Sequence, residues 1–215
     1  MKNRIILFAI ILFTLMGLVA CQSVELEENC FPMVVLVGEE EGKVTYEISF
    51  PKATSSSKSA QSNSDVQVPP TKEANFEVSK STYESHLSQK ADYNHLKVLV
   101  LEDEVLENQK IYLDMLTYLA QNESFPRNTY VCVVDDIEDM LKLEKTIAQE
   151  LGTYLEEFLK NQEPSKARLL TLGDLLNEKE NQMMVLYLPY LEVEEKYVEW
   201  NGFVNTVGKK WQESD

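Results

Sequence analysis

Residues able to do chemistry are few here and lie far apart: three cysteines, two histidines, and 36 acidic residues in short runs. Cys21 closes the stretch Leu18-Val19-Ala20-Cys21. Its order of aliphatic, small or aliphatic, small, then cysteine is the lipobox of bacterial lipoproteins. At such a site the thiol is the nucleophile that takes a diacylglycerol group, and a side chain as small as Ala20 lets a signal peptidase reach the bond before Cys21. The preceding residues fit that processing. Lys2 and Arg4 form a basic start, and Ile5 to Ala20 carries no charge. That run is shorter than the ~20 residues that span a bilayer core comfortably, so residues 1–20 read as a signal peptide. The mature chain is expected to begin at Cys21 with two or three acyl chains. At roughly 0.8 kcal/mol per buried CH2, two chains hold a protein on a membrane stably. An uncleaved N-terminal anchor with an incidental cysteine is the competing reading. Both readings place Gln22 to Asp215 outside the cytosol, tethered to a membrane.

The other reactive groups point to packing. Cys30 and Cys132 could form a disulfide in an exported chain, but each lies at or inside an apolar run, which favours buried free thiols. His86 and His95 lack metal-ligand spacing with the cysteines. The acidic runs are GEEEG, LEDEVLE and VDDIED. The first fits a solvated turn. The other two place acids in the first turn of a helix, where they are electrostatically favourable, and neither has the spacing of a calcium loop. His95 opens a strand with no nucleophile nearby. No Gly-rich phosphate loop, G-x-S-x-G, HExxH or paired CxxC occurs in the chain. No enzymatic activity, cofactor or metal is therefore expected. Asn122-Glu123-Ser124 is formally a glycosylation sequon, discounted because a lipobox chain is bacterial. Tyr130, Tyr187, Tyr190, Tyr197 and Trp200 read as core or edge packing.

These residues need a scaffold, and composition bounds it. Fewer than 200 residues follow the signal peptide, enough for one domain with an ordinary apolar share. The net charge is −16. Nucleic acid is an unsuitable partner for such a chain, and anionic headgroups should repel its body. The charge predicts a domain standing off the membrane on the leader Gln22 to Asn29.

Hydrophobic periodicity supplies the elements. Met33 to Val37 is a continuous aliphatic run, as in a strand buried on both faces. Glu39 to Gly42 reads as a turn. Lys43 to Phe50 alternates, with Val44, Tyr46, Ile48 and Phe50 on one face. Residues 53–75 are Ser-rich with a Pro pair and little to bury, a flexible loop. A short helix is expected at Ser81 or Thr82, then a strand over Leu96 to Leu101. The next helix begins at Glu102, with a stripe of Val105, Leu106, Gln109, Tyr112, Leu113 and Leu116. Thr129 to Val134 is another strand. Ile137 to Asn161 is helical with a break near Leu143 to Thr146, and Thr171 caps a further helix. The remainder is β-rich, with Pro189 at an edge or an irregular break and a hairpin turn at Asn201-Gly202. The expected fold is α+β (mixed α/β): a central mixed sheet with flanking helices, strand–helix–strand units joined by right-handed crossovers, and a C-terminal β-hairpin.

This order resembles the N-terminal domain of the Ger(x)C family, the C-subunit lipoproteins of spore nutrient-germinant receptors. The segments that carry the resemblance are the lipobox, HLKVLVLEDEVLE from His95, FPRNTYVCVV with Arg127 in its loop, YLEEFLKN from Tyr154, LLTLGDLL, VLYLPYLEV and VEWNGFVNTVGKKW. Glu102 to Leu106 stands where the family has a GEELA-like helix start. There are departures. The family's W-D-x-x-E-L after the lipid cysteine is replaced by QSVELEEN, and its Gly-rich first strand is reduced to Val37-Gly38-Glu39. The resemblance also places the last turn near Val207 to Lys210 instead of Asn201-Gly202. It implies a leader over 21–32, a receptor C-subunit N-terminal-like domain over 33–195, and in 196–215 a hairpin that in the family opens further domains. It implies a non-enzymatic role in germination, through complex assembly and signal coupling at the spore inner membrane. The partners implied are membrane lipid through acylated Cys21, and receptor subunits of the A type and the integral B type. The alternative is an independent envelope lipoprotein that captures a peptide or small cationic ligand.

Overall fold

The computed structural model describes residues 29–51, 68–162, 169–181, 185–206 and 210–211. The expected signal peptide, Cys21, the leader up to Glu28, residues 52–67 of the Ser-rich stretch and the last four residues lie outside them.

In chain order the strands are β1 (Asn29–Cys30), β2 (Val34–Glu40), β3 (Lys43–Ser49), β4 (Thr71–Glu73), β5 (Lys90–Ala91), β6 (Val98–Glu102), β7 (Tyr130–Val134), β8 (Tyr187–Val193), β9 (Val198–Asn205) and β10 (Lys210–Trp211). The helices are α1 (Phe76–Ser85), α2 (Asp103–Glu107), α3 (Gln109–Gln121), α4 (Ile137–Thr146), α5 (Leu151–Asn161) and α6 (Leu172–Asn181). Among the described residues, eight strands form one sheet in the order β10-β9-β8-β7-β6-β2-β3-β4, and β1 pairs separately with β5. The four central strands are mutually parallel, and antiparallel strands flank them on both sides. This is the mixed sheet with flanking helices and a C-terminal hairpin that the sequence predicts.

The two-sided burial of the centre follows from the residues. In β2, Val35 and Val37 enter one core while Val34 and Leu36 enter the other. Helices α1, α2, α3 and α6 cover the first face and α4 and α5 the second. In β3, Val44, Tyr46 and Ile48 join the first core as the alternation predicts, but the opposite face is also closed, burying Thr45, Glu47 and Ser49.

Local capping explains where the elements depart from their expected limits. Helix α1 starts at Phe76 and not at Ser81 or Thr82, because Asn75 Oδ1 accepts from the Val78 N–H. The stretch read as loop to residue 75 already carries structure at its end: Val68 is buried and Thr71–Glu73 is the edge strand β4. The single helix expected from Glu102 is two. Asn108 breaks it and caps α3, which re-phases the stripe. Leu113 is 48 % exposed, and Ile111, Met115 and Leu119 pack inward in its place. The break between α4 and α5 falls at residues 147–150, just past the expected Leu143 to Thr146.

Asn201-Gly202 is not a turn. Both residues lie inside β9, and the register with β8 slips by one between Pro189 and Leu191. Asn201 and Gly202 together oppose Tyr190, so the pair forms a β-bulge, and Gly202 takes the left-handed φ of 93° that such an insertion favours. The bulge also reverses the phase of β9: Val198 faces the second core and Val204 the first. Strand β10 pairs antiparallel with β9. The turn that the family resemblance places near Val207 to Lys210 falls at residues 207–209, outside the described residues.

Candidate functional site

Cys21, the residue the sequence singles out, lies outside the described residues. The structure does show where the chain that follows it joins the domain. Asn29 and Cys30 pair in parallel with Lys90 and Ala91. The Phe31 ring meets the His95 ring edge-on at 5.2 Å. His95 ends the short 3-10 turn Tyr93–His95 that leads into β6. The leader therefore enters at the end of the sheet where the parallel strands begin.

That end carries an ion network between elements remote in sequence. Lys97, just before β6, places Nζ 3.0 Å from Glu156 Oε2 on α5 and donates to Thr153 Oγ1 at 2.8 Å. Lys160 donates to the other Glu156 oxygen at 2.5 Å, and its ammonium stands 5.6 Å from the centre of the Tyr130 ring. The Lys160 hydrogen bond, with Lys97 beside it, holds the Glu156 carboxyl below its ordinary pKa. A cleft of about 310 Å³ opens here, with Asn94, His95, Asn128, Tyr130 and Thr171 around the two lysines. Thr171 and Asp174 form a reciprocal cap at the start of α6, with the Thr171 N–H and hydroxyl both donating to Asp174 Oδ2.

The opposite end, where the parallel strands finish, is acidic. A cleft of about 400 Å³ there is lined by residues including Glu39, Glu40, Glu102, Glu104, Asp136 and Lys72. Much of its acidity is structural. Glu102 accepts from the Glu39 N–H at 3.0 Å and the Ile137 N–H at 2.9 Å, tying the end of β2 to the first turn of α4. Burial raises its pKa, and these two backbone bonds oppose the rise. Gly38 leaves room for it, because a Cβ there would overlap the Glu102 carboxylate and force that side chain to shift. Asp136 caps α4 through the Glu138 N–H, and Asp103 and Glu104 occupy the first turn of α2. The runs LEDEVLE and VDDIED thus lie at helix starts and GEEEG at the β2–β3 turn, as their sequence positions predict. Among the described residues, no group of three or more His, Cys, Asp or Glu side chains could hold a metal.

Of the remaining candidates, the two cysteines, Tyr190 and Trp200 are packing residues. Cys30 and Cys132 are buried and unbridged. Burial pushes their thiols up, to about 11 and about 12. Tyr190 is buried in the first core and Trp200 packs against the second, while Tyr187 and Tyr197 are about half exposed. His86 closes α1. Sequence reasoning did not bring Lys97, Glu156 and Lys160 together, because the spacing of 59 residues between Lys97 and Glu156 carries no local signal. It also missed Glu47. This carboxyl is 6 % exposed, its Oε2 has no hydrogen-bond partner among the described residues, and burial followed by Glu144 pushes it up to about 7. No helix among the described residues is long and apolar enough to cross a membrane.

Comparison with known proteins places the chain. No curated protein matches it. The crystal structure of the GerBC protein is similar over 80 % of this chain and 47 % of that one, with 14 % identity and a TM-score of 0.37. This chain thus spans about half the length of that solved chain. The model of the spore germination protein N-terminal domain matches residues 22–193, from the residue after Cys21 to the end of β8. The chain belongs to the spore germination protein N-terminal domain family.

Proposed function

We propose that this protein is a non-enzymatic, lipid-tethered C-type subunit of a spore germinant receptor, acting in nutrient-triggered germination by complex assembly and signal coupling. The observation that carries the reading is the family match beginning at residue 22, directly after the lipobox Cys21. Acyl chains on Cys21 hold the domain at the spore membrane on its outer side. Confinement there raises its effective concentration near A-type and B-type subunits to the millimolar range, so individually weak contacts suffice.

Cys21→Ser tests the tether. The variant is expected to lose acyl labelling and leave the membrane fraction, and a variant that still takes up labelled fatty acid refutes the reading. Pull-down of the tagged chain from dormant spores tests the assembly. Recovery from vegetative membranes alone, without membrane partners, overturns it. A second reading, capture of a cationic peptide or solute, draws on the acidic cleft at the strand ends. Calorimetry with a lysine-rich peptide separates the two, since the receptor reading expects no heat of binding.

A further inference from the structure

Strand β3 turns Lys43, Thr45, Glu47 and Ser49 to the side that α4 closes, because alternate residues of a strand share a face. Lys43 is exposed at the hairpin, and the other three are buried. Ser49 is satisfied there: its hydroxyl donates to Glu144 Oε1 on α4 at 2.5 Å. Glu47 is not, since its Oε2 has no hydrogen-bond partner among the described residues. A carboxyl buried in this way costs little while neutral and much once charged.

The charges around Glu47 do not relieve that cost. Glu144, Lys145 and Glu138 of α4 act on it, two acids against one base, and the base is exposed. In β2 its cross-strand neighbour is apolar Leu36. Lys72 of β4 lies opposite Thr45, but its ammonium is paired with Glu40. On the other face the Tyr83 phenol of α1 is pushed up by burial and then by Glu47, so it stays neutral. Among the described residues, the last turn of α4 is tied down by the Ser49–Glu144 bond, by the burial of Leu143 in the second core and by the Thr146 hydroxyl, which donates to the Glu195 carbonyl. The helix ends at Thr146, and residues 147–150 follow before α5 begins.

We propose that Glu47 is a proton latch on the last turn of α4. With its proton on, the neutral carboxyl lets that turn seat against β3. When the proton passes to solvent, the carboxylate repels Glu144, the Ser49–Glu144 bond gives way, and Leu143 to Thr146 swing off the strand. The start of the helix stays in place, tied through the Ile137 N–H to Glu102 and by Met140 in the second core. Thr45 and Leu141 line the acidic cleft from the two sides of this seam, so the state of the latch reaches that cleft. The seated carboxyl keeps its proton to about 7, whereas a solvated one ionises above 4.5. The latch is fully closed below pH 4.5, loosens as pH rises from there, and changes little above pH 7. Between pH 5 and pH 8 the opening constant gains up to roughly 70-fold, most of it below pH 7.

Hydrogen–deuterium exchange of the full chain in non-ionic detergent, read by mass spectrometry, tests the latch against Glu47→Gln at pH 5, 6, 7 and 8. Dividing the parent's rate by the variant's at each pH removes the intrinsic pH dependence of exchange. For the amides of Leu143 to Thr146 that ratio should rise with pH, by up to roughly 70-fold. In the parent at pH 8 these amides should also exchange faster than those of Met115 to Leu119 in α3, which report global unfolding. Glu144→Gln keeps an acceptor for Ser49 and removes the facing charge, so it should shrink the rise. A flat ratio overturns the proposal. Protection of the α4 turn at pH 8 as strong as that of α3 overturns it too, because Glu47 would then be released only by global unfolding. A rise undiminished in Glu144→Gln overturns the repulsion assigned to Glu144.

Discussion

Replacing Glu47 by Gln should make the protein more stable, and by an amount that depends on pH. Glu47 is buried in β3 opposite α4, with Glu144, Lys145 and Glu138 of that helix acting on it. Burial lifts its carboxyl from an ordinary 4.5 to about 7. In the unfolded chain it ionises above 4.5, whereas in the folded chain it keeps its proton to about 7. The folded state is therefore unpenalised below pH 4.5. It loses stability as pH rises through that window, and the full penalty stands above pH 7. The difference of 7 − 4.5, at ~1.36 kcal/mol per unit, is about 3 kcal/mol. Gln carries no charge, so the penalty disappears. The Glu144 carboxylate on the facing helix can accept from its amide. Other carboxyls titrate in the same range and Glu156 acts in the opposite sense, so the informative quantity is the variant minus the parent. Urea unfolding of the unacylated chain at pH 5, 6, 7 and 8 measures it. The difference in unfolding free energy should grow by roughly 2 kcal/mol between pH 5 and pH 8. A flat difference across that range refutes the reasoning.

Three further outcomes follow from the geometry. Gly38→Ala should destabilise by about 1–3 kcal/mol, because its Cβ displaces the Glu102 carboxylate from two backbone bonds; in a double-mutant cycle by chemical denaturation, adding Glu102→Ala should cost less than the two single changes summed. Lys80 is buried, 2.8 Å from Glu84 and over the rings of Tyr93, Tyr118 and Phe125, so Lys80→Met should lower stability by about 2 kcal/mol, a thermal midpoint shift of roughly 4–8 °C read by circular dichroism. Cys30 and Cys132 should resist iodoacetamide at pH 8 in the native chain and react only after denaturation, since burial keeps both thiols protonated there; native labelling within minutes would contradict that.

The central sheet was legible because its information is local. The unbroken run in β2 marks a strand buried twice over, and Val34 through Val37 divide between the two cores accordingly. Thr171 was readable as a cap because its partner Asp174 lies within one turn. Asn201-Gly202 was misread for the converse reason. The sequence does mark a residue at positive φ, but pairing with β8 and β10 decides whether that residue makes a turn or a bulge, and that pairing is long-range. The burial of Glu47 depends likewise on α4 closing the far side of β3. The candidate clefts share this limit. Each is assembled from strand ends and helix faces that meet only in the folded chain, so the acids and lysines were visible singly and their grouping was not.

The bulge in β9 has a consequence for cooperativity. On one side of Gly202 the strand packs into the core beneath α4 and α5. On the other it packs into the core beneath α2 and α3. A ribbon that belongs to both layers makes independent opening of either costly, because releasing one helical layer strips contacts from a strand the other still needs. Backbone amides of α3 and α5 should then exchange with solvent through a shared opening event. A force applied where the chain enters the domain at β1 would in that case be felt by the domain as a single body.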